Sequence, residues 1–345
     1  MTGSAAAAER FSVWFEGPRR VAVRRGPVPE PAAGEARVRT SVSAISTGTE
    51  LAAWRGDLDP ALPRDETLGA HAGGSFGFPF PYGYASVGRL ETLGPGTPAG
   101  APVVGSRVFA FVPHQSVFCA PVDDLLPVPE DVPDERAALF PYLETAVNLL
   151  LDGAPRIGER VVVVGQGVLG LALTALLSRY PLGGLIGVEP DPERRRRSLE
   201  FGAREAVTPE DALERVRRSF PGGAELVFEV SGNRSALDSA IRAAARDGRV
   251  IAGSWLAGGK TPLELGGWFH RGRIRIVSSQ VSHLPPLEPS WTVGRRRRTA
   301  WELLGCVPLE TLVTLRVPLP EAGRAYARLD AGEALAALLV TSSSA

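Results

Sequence analysis

At 345 residues the chain exceeds the roughly 250 residues that a single hydrophobic core ordinarily serves, so two domains are expected. Its 38 basic and 38 acidic side chains cancel, which argues against a nucleic-acid or anionic-membrane partner. No apolar run reaches the roughly 18 residues of a membrane span, and MTGSAAAAERF lacks the cationic start and apolar core of a secretory leader, so a cytoplasmic protein with a small-molecule substrate is expected.

Residues 1 to about 140 combine Gly and Pro with the short runs RVAVRRG, ARVRTSVSAIS, YASVGRLETLG and SRVFAFVPHQSVFCAP, the texture of a meandering, barrel-like β domain with tight turns. VPDERAALFPYLETAVNLLLDG reads as helix, with acidic DE near its start. From Arg160 the texture changes. ERVVVVG, GLIGVEP, AELVFEV, RVIAGS and RIRIVSSQV read as strands; VLGLALTALLSRY, PERRRRSLEFGA, PEDALERVRRSF and SALDSAIRAAARDG read as helices between them. Near-continuous Val/Ile/Leu strands are what a parallel sheet covered on both faces requires, so the fold class is α/β with a doubly wound second domain. A helix at RRRRTAWELLG, the strand TLVTLRVPL, the helix PEAGRAYARLD and the strand ALAALLV read as a return to the first domain. The expected divisions are 1–145, 146–284 and 285–345. The Ala-rich start and the SSSA tail read as frayed ends, and Cys119 and Cys306 as unpaired buried thiols.

Gly165-Gln166-Gly167-Val168-Leu169-Gly170 forms a GxGxxG that follows a four-valine strand and opens a helix. The first Gly permits the turn, the second lets backbone approach a pyrophosphate, and the third allows close helix–strand packing. The helix start then offers N–H groups and a positive dipole end to phosphate. Glu189 stands 19 positions beyond Gly170, where a carboxylate accepts ribose hydroxyls and repels a 2′-phosphate, favouring NAD. The arginines at 194–197 offer a phosphate grip and leave NADP open, Arg194 being the one assigned to the cofactor. Thr145, Val230, Ser231, Gly253, Ser254 and Ser279 complete the expected cofactor-binding set.

The order of β domain, crossover helix, Rossmann unit and C-terminal return resembles the medium-chain dehydrogenase/reductase family across essentially the whole chain. AISTGTEL resembles the segment that bears the first catalytic zinc ligand, PYGYASVGRL the GHExxGxV segment, PYLETAVNLL the helix with the third ligand, and GQGVLGLAL the dinucleotide turn. The resemblance implies a GroES-like β-barrel catalytic domain, a cofactor in the cleft between domains, and a homodimer joined through RIRIVSSQV. It also implies that the metal is gone. Thr47 stands where the first Cys would be, Tyr84 for the His of GHE, Ala85 for its Glu, and Pro141 for the third ligand. No triple of N, S or O donors survives, the four-cysteine structural zinc lobe has no counterpart, and His71, His114, His270 and His283 lack ligand spacing. No zinc is expected.

Without a metal, hydrogen-bond donors must stabilise the developing alkoxide or enolate. Tyr84 is the first candidate for donor or general acid, and Thr49 matches the family's proton-relaying hydroxyl, with Glu50 the acid beside it. Thr47, Glu144 as a cleft carboxylate, Lys260 as the chain's sole lysine, and the imidazole of His114 complete the catalytic set, with His270 a further proton carrier. Trp54, Trp255, Trp268 and Phe269 are candidate walls for a flat substrate. The leading activity is secondary alcohol/ketone interconversion in specialised metabolism, the style of AISTGTEL and PYGYASVG being loosely similar to the bacteriochlorophyllide hydroxyethyl dehydrogenase branch. Reduction of an activated C=C bond, a redox-neutral elimination or epimerisation with bound NAD, and a non-catalytic dinucleotide sensor remain alternatives.

Overall fold

Alternating β-branched residues with Gly and Pro punctuation fold the start of the chain as strands, and the 3.6-residue apolar period after Arg160 folds its intervening segments as helices. A computed structural model describes residues 9–65, 67–285 and 290–341. The Ala-rich start and the SSSA tail lie outside the described residues. The chain divides into two compact units, residues 1–140 with 308–345 and residues 141–307.

The first unit begins with β1 (Glu9–Gly17), β2 (Arg20–Pro27), β3 (Glu35–Ile45), α1 (Thr49–Arg55), β4 (Phe80–Pro81), β5 (Ser86–Leu93), β6 (Arg107–Ala110), β7 (Val117–Pro121), β8 (Leu126–Pro127) and α2 (Asp134–Ala137). The second contributes α3 (Phe140–Gly153), β9 (Arg160–Val164), α4 (Val168–Leu177), β10 (Gly184–Val188), α5 (Pro192–Glu200), β11 (Glu205–Val207), α6 (Pro209–Ser219), β12 (Ala224–Glu229), α7 (Arg234–Ala243), β13 (Ala244–Ala252), α8 (His270–Gly272), β14 (Arg275–Ser278) and α9 (Val293–Leu304). The return supplies β15 (Val313–Pro318), α10 (Ala322–Asp330) and β16 (Ala336–Val340) to the first unit.

In the first unit the larger sheet runs β15-β16-β3-β5-β6-β8, with β7 also on β3, and a smaller sheet runs β2-β1-β4. β3 alternates half-buried and buried residues before a buried end, as a one-faced strand does. β16 pairs antiparallel with it, so the last strand completes a sheet begun near residue 35. In the second unit the sheet is parallel with order β11-β10-β9-β12-β13-β14, the doubly wound arrangement expected, and β10 is buried at every residue. Strand order reverses between β9 and β12, where ligands bind at the carboxyl ends in such sheets. No helix among the described residues is long and apolar enough to cross a membrane.

The structure departs from the sequence expectation at several places. SRVFAFVPHQSVFCAP, read only as a β-textured run, resolves into the strands β6 and β7. The stretch from Val132 to Gly153 is two helices, with Pro141 tolerated in the first turn of α3. The helix expected through Gly248 stops at Ala243; Ala244 already pairs with β12, and Asp247 adopts φ +58° within β13, where the register against β12 shifts. Cys306 is exposed at the end of α9, and Cys119 is half-buried; both are free.

α9 belongs to the second unit, so the return starts at 308 instead of 285. The reason is a buried ion pair. Arg296 Nη2 and Nε donate to Glu144 Oε1 of α3 at 2.9 and 3.2 Å, Arg296 Nη1 donates to Asn148 Oδ1 at 2.8 Å, and both charged side chains are under 5% exposed. Arg297 Nε adds a contact to the same oxygen at 3.4 Å. Glu144→Gln is expected to lower the urea stability of the second unit by about 3 kcal/mol by leaving Arg296 uncompensated, with Glu144→Leu/Arg296→Met recovering most of it. Equal stability of Glu144→Gln and the parent would show that the pair does not hold α9.

Candidate functional site

The carboxyl end of β9 is shaped by three glycines with three different jobs. Gly165 has φ +95°, and a Cβ there would lie 2.5 Å from Ser231 Cα. At Gly170 a Cβ would lie 1.9 Å from the Gly165 carbonyl oxygen, so α4 rests directly on the turn. Gly167 meets nothing within 4 Å; it is the N-cap of α4 and no side chain caps the helix start. The amides opening α4, among them Val168 and Leu169, therefore have no side-chain acceptor. Gln166 is fully buried and locks the turn, its amide donating to Val163 O at 3.1 Å while its oxygen accepts the Thr174 hydroxyl at 3.0 Å.

Glu189 follows β10 and is buried. Its Oε2 accepts the Gln166 N–H at 2.8 Å, and Oε1 accepts the Asp191 N–H at 3.2 Å. The arginine run is mostly engaged elsewhere. Arg195 donates to the carbonyls of Glu189 and Pro190, and Arg196 and Arg197 pair with Glu193. Arg194, half-buried, makes no ion pair among the described residues.

The other expected cofactor residues gather at the same sheet end. Ser231 donates its N–H and hydroxyl to Glu229 Oε1, and Ser254 Oγ accepts the Gly232 N–H at 2.8 Å. The Gly253 and Ser254 amides both donate to Glu229 O, and a Cβ on Gly253 would crowd Leu149 and Val230. Ser279, just past β14, bonds Asp152. Thr145 is not engaged there; its hydroxyl bonds Pro141 O at 2.8 Å within α3.

In the first unit, Thr47, Thr49 and Tyr84 are all half-buried, and Tyr84 meets Tyr82 edge-on at 6.3 Å. Behind them sits a buried cluster. Glu50, on α1, accepts the Ser46 N–H on Oε1 at 2.9 Å and the Tyr326 hydroxyl on Oε2 at 2.6 Å, while His114 Nε2 lies 2.8 Å from the same Oε2. His114 Nδ1 bonds Ser43 Oγ. Gly83, at φ +110°, leaves room for the imidazole, since a Cβ there would fall 2.4 Å from His114 Cδ2. On its other side His71 Nε2 bonds Gly83 O at 2.9 Å. The turn that carries Tyr84 is thus pinned by two histidines.

Burial keeps the Tyr326 and Tyr82 phenols and the His71 imidazole uncharged at neutral pH. Burial raises the Tyr326 and Tyr82 phenols well above their ordinary values, with Glu50 and Tyr84 adding to both. Burial also lowers His71 to about 4, opposed by its bond to Gly83 O, with Arg64 adding to the lowering. Ser43, Tyr326, Tyr82 and the role of His71 were not singled out in the sequence. Tyr326 lies 276 positions from Glu50 in a helix without a motif, so no local signal marks it.

Several expected site residues fall elsewhere. Glu144 is spent on Arg296 and is no free cleft acid. Trp54 is core, 4% exposed and stacked on Tyr326, and cannot wall a substrate pocket. Lys260, His270 and His283 are exposed, Trp268 donates its indole N–H to Ala244 O at 2.8 Å, and Trp255 is 46% exposed. Among the described residues, no three His, Cys, Asp or Glu side chains gather as a metal-ligand group.

Residues 168–291 match the family described as Zinc-binding dehydrogenase. Over 317 residues the chain is 28% identical to the D-guloside 3-dehydrogenase of Escherichia coli K12, covering 85% of this chain and 88% of that protein. Among solved structures, it superposes on the alcohol dehydrogenase TADH from Thermus sp. ATN1 with a TM-score of 0.75 and 24% identity, over 96% of this chain and 99% of that one. A short chain alcohol dehydrogenase of Escherichia coli CFT073, complexed with NADH, gives a TM-score of 0.77 at 18% identity over the same shares. These two share the fold.

The His71 environment has a consequence for stability. With its folded pKa near 4 and the unfolded value near 6.5, the unfolded chain binds a proton the folded chain refuses between those limits. Stability of the first unit therefore falls as pH drops through that window, by about 3 kcal/mol at its foot. His71→Gln is expected to flatten this part of the curve in urea titrations at stepped pH; an unchanged slope would refute the assignment.

Proposed function

This chain belongs to the medium-chain dehydrogenase/reductase family, and from that premise we propose that it is an NAD-dependent oxidoreductase interconverting a secondary alcohol and a ketone without a catalytic metal. One observation carries the reading: an uncapped helix start above open space at Gly167, beside a buried carboxylate tied to the same turn. The amides of Val168, Leu169 and Gly170 suit a pyrophosphate by charge and by hydrogen bonding. Each Glu189 oxygen accepts one backbone N–H and keeps a lone pair for a ribose hydroxyl. Its charge disfavours a 2′-phosphate, and Arg194 is the free guanidinium nearest in sequence to steady the ribose. When bound, the dinucleotide supplies the hydride acceptor or donor. The NADH complex of the Escherichia coli CFT073 neighbour supports the same ligand class.

The residues at the family's zinc-ligand positions do not fit the metal. Thr47 and Tyr84 offer hydroxyls, and Ala85 and Pro141 offer no side-chain donor. The first unit instead supplies protic groups. As the carbinol C–H leaves with its electron pair, the O–H proton is relayed by the Thr49 hydroxyl, which takes it up as it gives its own proton to solvent water, while the Tyr84 phenol donates a hydrogen bond to the developing alkoxide. In the reverse direction the same groups return the proton. The D-guloside 3-dehydrogenase relative favours a secondary carbinol, the group found at position 3 of a sugar ring.

Fluorescence titration of the purified protein is expected to show NADH binding at least about tenfold tighter than NADPH, with Glu189→Ala narrowing the ratio. Absence of binding, or an NADPH preference, sinks the cofactor reading, and stoichiometric zinc by elemental mass spectrometry sinks the metal-free one. In single-turnover hydride transfer, Tyr84→Phe or Thr49→Val is expected to lose about a hundredfold, and an unchanged rate in both eliminates this pair. A homodimer is also proposed, through the open edge of β14 where Ile276 is exposed; light scattering should give the mass of two chains.

A further inference from the structure

α3 carries a polar stripe that takes no part in the proposed chemistry. Glu144, Asn148 and Asp152 follow one another at intervals of four residues, hence on one face of the helix. Arg296 of α9 spans the first two, donating to Glu144 Oε1 at 2.9 Å and to Asn148 Oδ1 at 2.8 Å. Asn148 Nδ2 in turn donates to Asp152 Oδ2 at 3.0 Å, and the Ser279 hydroxyl donates to that same oxygen at 2.5 Å. Asn148 Nδ2 also lies 3.4 Å from Ser279 Oγ, so these three side chains close on one another. The result is one network joining α3, α9 and the exit of β14. Its inner members, Glu144, Asn148 and Arg296, are buried.

Close contacts show what this network holds in place. At Gly153, which ends α3, a Cβ would lie 2.5 Å from Phe228 Cζ and 3.5 Å from Ile251 Cγ1, so the last turn of the helix is seated directly on β12 and β13. One turn earlier, Leu149 Cδ2 lies 2.7 Å from where a Cβ on Gly253 would be, so α3 also meets the chain as it leaves β13. The Ser279 N–H donates to Ala252 O at 3.0 Å, which joins the exits of β13 and β14. α3 therefore touches both exits, by an apolar contact at Gly253 and by hydrogen bonds at Ser279. An apolar contact only limits approach, whereas hydrogen bonds to one carboxylate oxygen also fix direction.

A dinucleotide has two arms joined by its pyrophosphate. With the pyrophosphate at the α4 amides beyond β9 and the adenosine ribose at Glu189 beyond β10, the nicotinamide arm runs the other way along the sheet end, over β12, β13 and β14. Ser279 is the first residue past β14, at the far side of that path. We propose that Asp152, braced through Asn148 by the buried Glu144–Arg296 pair, is a positioning residue that holds the Ser279 exit of β14 for the nicotinamide arm of the cofactor. The proposal rests on the dinucleotide reading of the second unit. Asp152 acts through Ser279, whose hydroxyl it accepts. Because the adenosine arm lies on the opposite side of β9, the effect of Asp152 is confined to one half of the ligand.

Calorimetric titration of the full chain with NADH and with ADP-ribose, which lacks the nicotinamide ring, separates the two arms. Asp152→Ala and Ser279→Ala are each expected to weaken NADH binding about tenfold and to leave ADP-ribose within about twofold of the parent. The double variant should lose no more than either single one, since each removes the same bond. Asp152→Asn keeps an oxygen for the Ser279 hydroxyl and should restore most of the NADH affinity. Equal weakening of both ligands, an additive loss in the double variant, or parental NADH affinity in Ser279→Ala overturns the proposal. Ser279→Ala removes a single hydroxyl, so the comparison stands even if Asp152→Ala does not fold. A parent that binds neither ligand refutes the dinucleotide reading and this proposal together, whereas a parent that binds both, with variants that do not distinguish them, refutes this proposal alone.

Discussion

Gly170 lies so close to the Gly165 carbonyl that a methyl group would come within 1.9 Å of the oxygen, and the carboxyl end of the second unit's sheet is built on that approach. Because nothing separates helix from turn, the first amides of α4 emerge directly beyond β9 and over the open side of Gly167. The same turn presents the Gln166 N–H to Glu189. A larger residue at 170 would push α4 away and separate the helix-opening amides from the Glu189 carboxylate, the two groups proposed to hold phosphate and ribose. Buried Gln166 reinforces the arrangement by bonding both strand and helix. The other predicted cofactor residues that reach this end do so by strand ends alone, since Val230, Gly253 and Ser279 each follow a parallel strand.

In the first unit the corresponding constraint is a charge. Burying Glu50 completely costs solvation that only donors can offset, and three are assembled from distant parts of the chain: the Ser46 amide, the His114 imidazole and the Tyr326 phenol. The rest of the unit accommodates them. Gly83 vacates the volume the imidazole fills, α10 brings Tyr326 under Trp54 and edge-on to Phe15, and the pairing of β16 with β3 fixes the return that carries α10. The C-terminal return therefore completes the buried Glu50 cluster behind the candidate site, although it contributes no motif.

The contrast between the two units explains what was legible in sequence. The glycine spacing and the four-valine strand are local consequences of backbone geometry, so the second unit's sheet and the turn that opens α4 could be read from consecutive residues. Glu144 illustrates the opposite case. Its position one turn after Pro141, on the helix that resembles the third-ligand segment, suggested a cleft acid, but the partner that decides its role is Arg296, 152 positions away. Trp54 was misplaced for a similar reason: its stacking partner Tyr326 is far along the chain. His114 was legible as a residue of interest and illegible in role, because Glu50, Ser43 and Gly83 converge on it from three separate segments.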